Sequence, residues 1–288
     1  MKYGLYIVAG LLAVGACQSK PAHNMDSGIN ADSALQEQIL LEDNLRGTAF
    51  EDLNIDNKRL FIRYNQPVEG YAVTGVCFPL AGYDRDREHE FVGKAILHFE
   101  SEDNHFDIYN EYFSDSTLYY VNEQSFVDGQ VLHLDYLPKK ADEYLGYNTP
   151  FFFQDVDFDG EKELLVNNWR CGIRHSNHYE VYKIEDRKAR LVTVPPFDEM
   201  DDSMTRFDSI QQTIRLVEGS AVEAYERTYQ KKCRQTMQGS QVVSEPYWEL
   251  AGARYFYNDD YKEYVRQGDS LRLVRETKGG YDDFWKEE

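Results

Sequence analysis

Asp155 to Val166 reads D-V-D-F-D-G-E-K-E-L-L-V, with Phe151-Phe152-Phe153 just before it. Three carboxylates at alternate positions, a glycine and a further acid three residues on can close around one hard cation. Calcium takes about six to eight oxygens, and a tight loop supplies them from alternate positions. Asp155, Asp157, Asp159 and Glu163 would offer side-chain oxygens, and Glu161 its backbone carbonyl. Gly160 permits a turn that a residue with a Cβ resists. The flanking apolar runs are short, which suits buried strands better than helices. This is not an EF-hand, because position twelve is Val166 where that motif needs a bidentate Glu. The alternative is a metal-free Asp/Gly turn, since both residues are ordinary in turns. Calcium is the expected cofactor because acids crowded into nine positions repel unless a cation joins them. Its role would be structural, with a dissociation constant of about 10⁻⁴ to 10⁻³ M, as in extracellular modules.

The rest of the chain reads as short strands. Tyr and Phe number 22 and 16, and aromatics make up 14% of the residues, a composition that favours sheet. Strands are expected at Arg59–Tyr64, Tyr71–Cys77, Lys94–Glu100, His105–Asn110, Thr117–Asn122, Gln130–Tyr136 and His178–Ile184, with a last hairpin ending in Ser270–Val274. Ser101–Asn104, Gly129 and Gly268 mark turns. Helical stretches do not alternate with these strands, which argues against a parallel α/β fold. The expected class is mainly β, with antiparallel sheets arranged as a propeller-like assembly or an irregular β-sandwich. Val222, Tyr225, Tyr229 and Cys233 fall at helical spacing, so the reading of 221–237 leans to a helix and leaves a strand open.

The pattern at Asp155–Leu164 resembles the calcium loops of integrin-type (FG-GAP-like) β-propeller blades. It is also similar to a family of bacterial periplasmic propeller-like lipoproteins, some of which resemble immunity proteins against lysozyme-like toxins. The resemblance extends more weakly from about Phe151 to about Glu276, and it would make part of 221–237 a strand.

Lys2, the apolar run from Leu5 to Val14 and Gly15-Ala16-Cys17 have the layout of a signal peptide, and the run is too short to span a bilayer. Val14-Gly15-Ala16-Cys17 resembles a bacterial lipobox, which implies cleavage before Cys17 and its lipidation. Gln18-Ser19 offers no Asp at the second position, which points to the outer membrane, facing either periplasm or medium. The expected organisation is a signal peptide over 1–16, a lipidated Cys and tether with a short helix over 17–57, and a β domain over 58–288. Asp52-Leu53-Asn54-Ile55-Asp56 echoes the calcium loop but lacks its glycine and ninth acid, and reads as a turn.

The net charge of −20 is spread along the chain and excludes nucleic acid as an expected partner, since binding it needs a basic face. Cys77, Cys171 and Cys233 leave any disulfide pairing open. Cys171, His175 and His178 read as a polar loop rather than a zinc site. His98, His105 and His133 read as strand histidines. No nucleophile elbow, phosphate loop or dinucleotide fingerprint is present. The function expected is a non-catalytic, calcium-stabilised binding lipoprotein that holds a protein or glycan partner at the cell envelope. In its sharpest form it inhibits a peptidoglycan-degrading enzyme. The alternative is a secreted polysaccharide hydrolase that uses paired carboxylates, recognisable by two carboxyls in a concave groove.

Overall fold

The computed structural model describes residues 59–79, 92–114, 129–138, 149–168, 178–200, 205–219 and 222–285. Two sheets account for nearly all of them. The first has nine strands in chain order: β1 (Leu60–Tyr64), β2 (Ala72–Pro79), β3 (Val92–Glu100), β4 (His105–Ser114), β5 (Gln130–Leu134), β6 (Phe151–Gln154), β7 (Glu163–Asn168), β8 (His178–Glu185) and β9 (Lys188–Leu191). Its spatial order is β5-β1-β2-β3-β4-β7-β8-β9, with β6 added against β7. The second sheet has six strands in sequential order: β10 (Arg206–Asp208), β11 (Thr213–Gly219), β12 (Glu223–Gln238), β13 (Gln241–Tyr257), β14 (Asp260–Gln267) and β15 (Ser270–Lys278). A 3-10 turn at Phe197–Glu199 and a short helix α1 (Tyr281–Trp285) complete the described elements.

All pairings are antiparallel except β1 with β5, which run parallel from Leu60↔Gln130 to Tyr64↔Leu134. The fold is mainly β, in two open sheets that share a core, and it is an irregular β-sandwich. Strands are found at the expected places from Arg59 to Tyr136 and at His178, apart from Thr117–Asn122, which lies outside the described residues. The Ser101–Asn104 turn closes through the Ser101 N–H donating to the Asn104 carbonyl at 2.7 Å.

β6 and β7 show why contiguous apolar runs appear at these points. Phe151, Leu164 and Val166 face one core, with Phe99, Phe106 and Tyr64. Their chain neighbours Phe152 and Leu165 face a second core. Side chains alternate between the two faces of a strand, so where a strand is buried on both sides its middle reads as a continuous apolar run, here Leu164–Val166, with buried Glu163, Asn167 and Asn168 at the two ends of β7. The second core joins the sheets: Phe152, Val156, Leu165, Tyr179 and Val181 from the first meet Ile214, Leu216 and Tyr229 from the second. Fully burying a side chain of this size contributes about 1.5–3 kcal/mol.

The choice left open over 221–237 falls to a strand, against the lean to helix: Glu223–Gln238 is β12, paired with β11 and β13. A spacing of four residues is shared by both periodicities. Tyr225, Tyr229 and Cys233 therefore lie on one side of a strand as readily as on one side of a helix. What decides is pairing: β12 finds a partner strand on each edge. No disulfide joins Cys77, buried on β2, to Cys233, exposed on β12. Cys17, the signal and tether segments and Cys171 lie outside the described residues. Among the described residues no helix is long and apolar enough to cross a membrane.

Candidate metal centre

The loop from Asp155 to Lys162 joins β6 to β7, two adjacent antiparallel strands. Its backbone is shaped by its own acids. The Asp155 carboxylate accepts the N–H of Asp159 at 3.2 Å and of Gly160 at 3.0 Å. Asp157 accepts the Asp159 N–H at 3.0 Å, and Asp159 accepts the Glu161 N–H at 2.9 Å. Gly160 sits at φ +94, where a side chain would be strained. Phe158 also has positive φ, at 61°, a conformation unusual for a bulky residue. Its ring packs 5.8 Å from that of Trp248 on β13, which in turn lies edge-on to Phe197 at 5.5 Å.

Three of the five expected ligand residues converge. One carboxylate oxygen from each of Asp155, Asp157 and Asp159 lies within 4.8 Å of the others. Calcium–oxygen bonds run about 2.3–2.6 Å, so oxygens on opposite sides of one ion stand about 5 Å apart. The triad therefore matches the span of a calcium shell. Glu161 is exposed. Glu163 is buried and turned inward, its Oε2 accepting the N–H of Val156 at 2.9 Å and of Asp157 at 3.4 Å.

Two lysines complete the site, and the motif gives no sign of either. Lys183 on β8 places its ammonium 2.5 Å from Asp157, 2.8 Å from Asp159 and 3.8 Å from Glu163. Lys231 on β12 donates to the Asp157 carbonyl and stands 3.7 Å from its carboxylate. Lys183 was findable only through register. Leu164 pairs with Tyr182, so Glu163 and Lys183 are one step further along the same ladder. Lys231 comes from the other sheet, 74 residues away.

These contacts set the electrostatics. Burial pushes Glu163 up to about 7; the charges of Asp157 and Asp159 add to this, while the Val156 N–H and Lys183 oppose it. Burial alone would raise Asp159, but the Lys183 hydrogen bond and the Glu161 N–H hold it below the usual carboxylate range. Burial alone would lower Lys183, but its contacts with Asp157 and Asp159 hold it above the ordinary lysine value. The donor set is all hard oxygen and suits calcium. A divalent ion at the triad has to displace the Lys183 ammonium.

His178 opens β8, while Cys171 and His175 lie outside the described residues. His98 is hydrogen-bonded to Asp107, its cross-strand partner, at 2.7 Å. The acidic, aromatic stretch Tyr257–Tyr261 forms the β13–β14 turn.

The chain matches no family model and no curated protein sequence. Among solved structures, one described as a Xanthomonas type IV secretion system related protein superposes with a TM-score of 0.45 at 12% identity, covering 75% of this chain and 93% of that chain. A likeness of this degree carries no functional argument.

Proposed function

We propose that the chain is a calcium-stabilised, non-catalytic binding module of the bacterial cell envelope, anchored through a lipid on Cys17, whose partner is a protein or glycan. The observation that supports it most is the convergence of Asp155, Asp157 and Asp159 at a point where both sheets meet. Asp155, Asp157 and Asp159 would hold the ion, with Glu163 behind them. The ion would supply only charge neutralisation. Because Lys231 and Trp248 reach the same loop from the second sheet, tightening the loop would also tighten the junction between the sheets.

Calcium binding to the folded state raises its stability by mass action. The test is thermal unfolding of the full-length chain in chelator and in 1 mM calcium. Wild type melts higher in calcium, and Asp157→Ala combined with Asp159→Ala removes the rise. Equal responses from wild type and double variant would overturn the metal reading. The inhibitor form of the proposal is tested by adding the chain to a lysozyme-type hydrolase acting on cell walls. Slowed clearing supports it, whereas sugar release by the chain alone would overturn the non-catalytic reading.

A further inference from the structure

β12 and β13 outrun the sheet they belong to. β11 pairs with β12 only as far as Gln230, and β14 pairs with β13 only from Gly252 onward. From Lys231↔Trp248 to Gln238↔Gln241 the two strands pair with each other alone among the described residues. The ribbon closes at Gly239-Ser240, with Gly239 at φ +63. Its length is about 25 Å at about 3.3 Å per residue. No residue from Lys232 to Tyr247 is buried. At the tip, Met237 and Val242 face each other across the ladder and are 66% and 62% exposed. A two-stranded ribbon with no core of its own is marginally stable in water, so the order of this arm depends on how its root is held.

The root is held by the calcium loop. Lys231 and Trp248 form the first cross-strand pair of the arm, and they touch adjacent loop residues. The Lys231 ammonium donates to the Asp157 carbonyl and lies 3.7 Å from its carboxylate. The Trp248 ring packs 5.8 Å from that of Phe158. The remaining ties at the root come from the second sheet and the 3-10 turn. The Lys231 N–H donates to the Gln212 carbonyl at 2.9 Å, Arg266 reaches Glu249 at 3.1 Å, and Phe197 meets the Trp248 ring at 5.5 Å.

Asp157 is the joint between the two elements. Its carboxylate faces the ion site, 2.5 Å from the Lys183 ammonium, while its carbonyl is gripped by the arm. The same carboxylate accepts the Asp159 N–H at 3.0 Å, so side chain and backbone are tied together in a tight turn. A carboxylate that leaves the ammonium for an ion shifts that turn. With the turn move the carbonyl and the Phe158 ring that hold Lys231 and Trp248.

We infer that the occupant of the loop sets the order of the β12–β13 arm. The arm is loosely held when Lys183 fills the acid cluster and firmly held when calcium does. This rests on the calcium reading of the loop and extends it to what the ion controls. Such a coupling is reciprocal, so a partner that grips the arm tightens calcium binding by the same factor.

The test is amide hydrogen exchange of the full-length chain, in chelator and in 1 mM calcium, with the melting temperature recorded in parallel. Amides between Lys232 and Tyr247 should exchange about fivefold or more slowly in calcium, the lower bound of ordinary coupling between sites. The Gln267–Ser270 turn between β14 and β15 is as exposed but touches no part of the loop, and its exchange should not change. Trp248→Leu keeps an apolar side chain and removes the ring. It should still melt higher in calcium while losing the slowing of the arm. Phe158→Asn removes the other ring of the contact and tolerates positive φ, so it gives the same loss from the loop side. A calcium rise in melting temperature with unchanged arm exchange would overturn the inference and leave the metal reading standing. Slowing that extends equally to the Gln267–Ser270 turn, or that survives in either variant, would also overturn it. A wild type whose melt ignores calcium would overturn the metal reading, and the coupling with it.

Discussion

Replacing Lys183 with methionine keeps an unbranched side chain one atom shorter and removes the ammonium that lies among Asp157, Asp159 and Glu163. The ammonium is part-exposed at 31%, facing Asp157 at 12% and Asp159 at 33%. Its contribution therefore falls between that of an exposed pair, about 0–1 kcal/mol, and that of a broken buried one, about 3–5 kcal/mol. A value of about 1.5 kcal/mol is reasonable after allowing for solvent screening. In chelator, the Lys183→Met variant should melt about 3–6 °C below wild type, at about 2–4 °C per kcal/mol for a chain of this size. In calcium the variant gains more than wild type does. With a dissociation constant of about 10⁻⁴ M, 1 mM calcium stabilises wild type by about 1.4 kcal/mol. The variant has no ammonium to displace, so its affinity should rise about tenfold and its stabilisation to about 2.7 kcal/mol. Differential scanning fluorimetry of both proteins across a calcium series measures this directly. If the variant gains no more from calcium than wild type does, Lys183 is not a competitor for the ion. If it melts like wild type in chelator, the ammonium is not neutralising the loop.

Two further outcomes follow from the same geometry. Glu163 has its folded-state value raised to about 7 from an ordinary 4.5. Between those values the native state holds a proton that the unfolded state has released. The stability this contributes is fully present below pH 4.5 and is lost as pH rises to about 7, a change of about 3 kcal/mol. Glu163→Gln should flatten that slope in chelator, as urea unfolding at several pH values would show; an unchanged slope would contradict it. Gly75 lies in β2, where a Cβ would stand 2.8 Å from the Ile96 carbonyl oxygen and 2.9 Å from Leu97. Gly75→Ala should therefore cost about 1–3 kcal/mol by overpacking, read from the shift in urea midpoint, and a neutral effect would refute the close approach.

Much of the fold is legible in local pattern. Phe151–Phe153 and Leu164–Val166 read as buried strands because each is apolar at successive positions, and the structure buries β6 and β7 on both faces. The loop between them is legible because its turn depends on residues within nine positions of each other. The strand over 223–238 is not decided by local pattern, because Tyr225, Tyr229 and Cys233 share a face in either geometry. Only the pairing of β12 with strands on both sides distinguishes them. Lys231 and Trp248 leave no trace in the motif, since their nearness to the loop depends on how the second sheet packs against the first.

The sequence by itself determined the strand-rich class, the acidic turn and the net charge of −20, because periodicity, turn chemistry and charge are properties of neighbouring residues or of simple sums. Tertiary structure decided which acids converge, that Glu163 points inward and which cations answer them. Each of these depends on the register and packing of strands that are distant along the chain, and no local pattern encodes that.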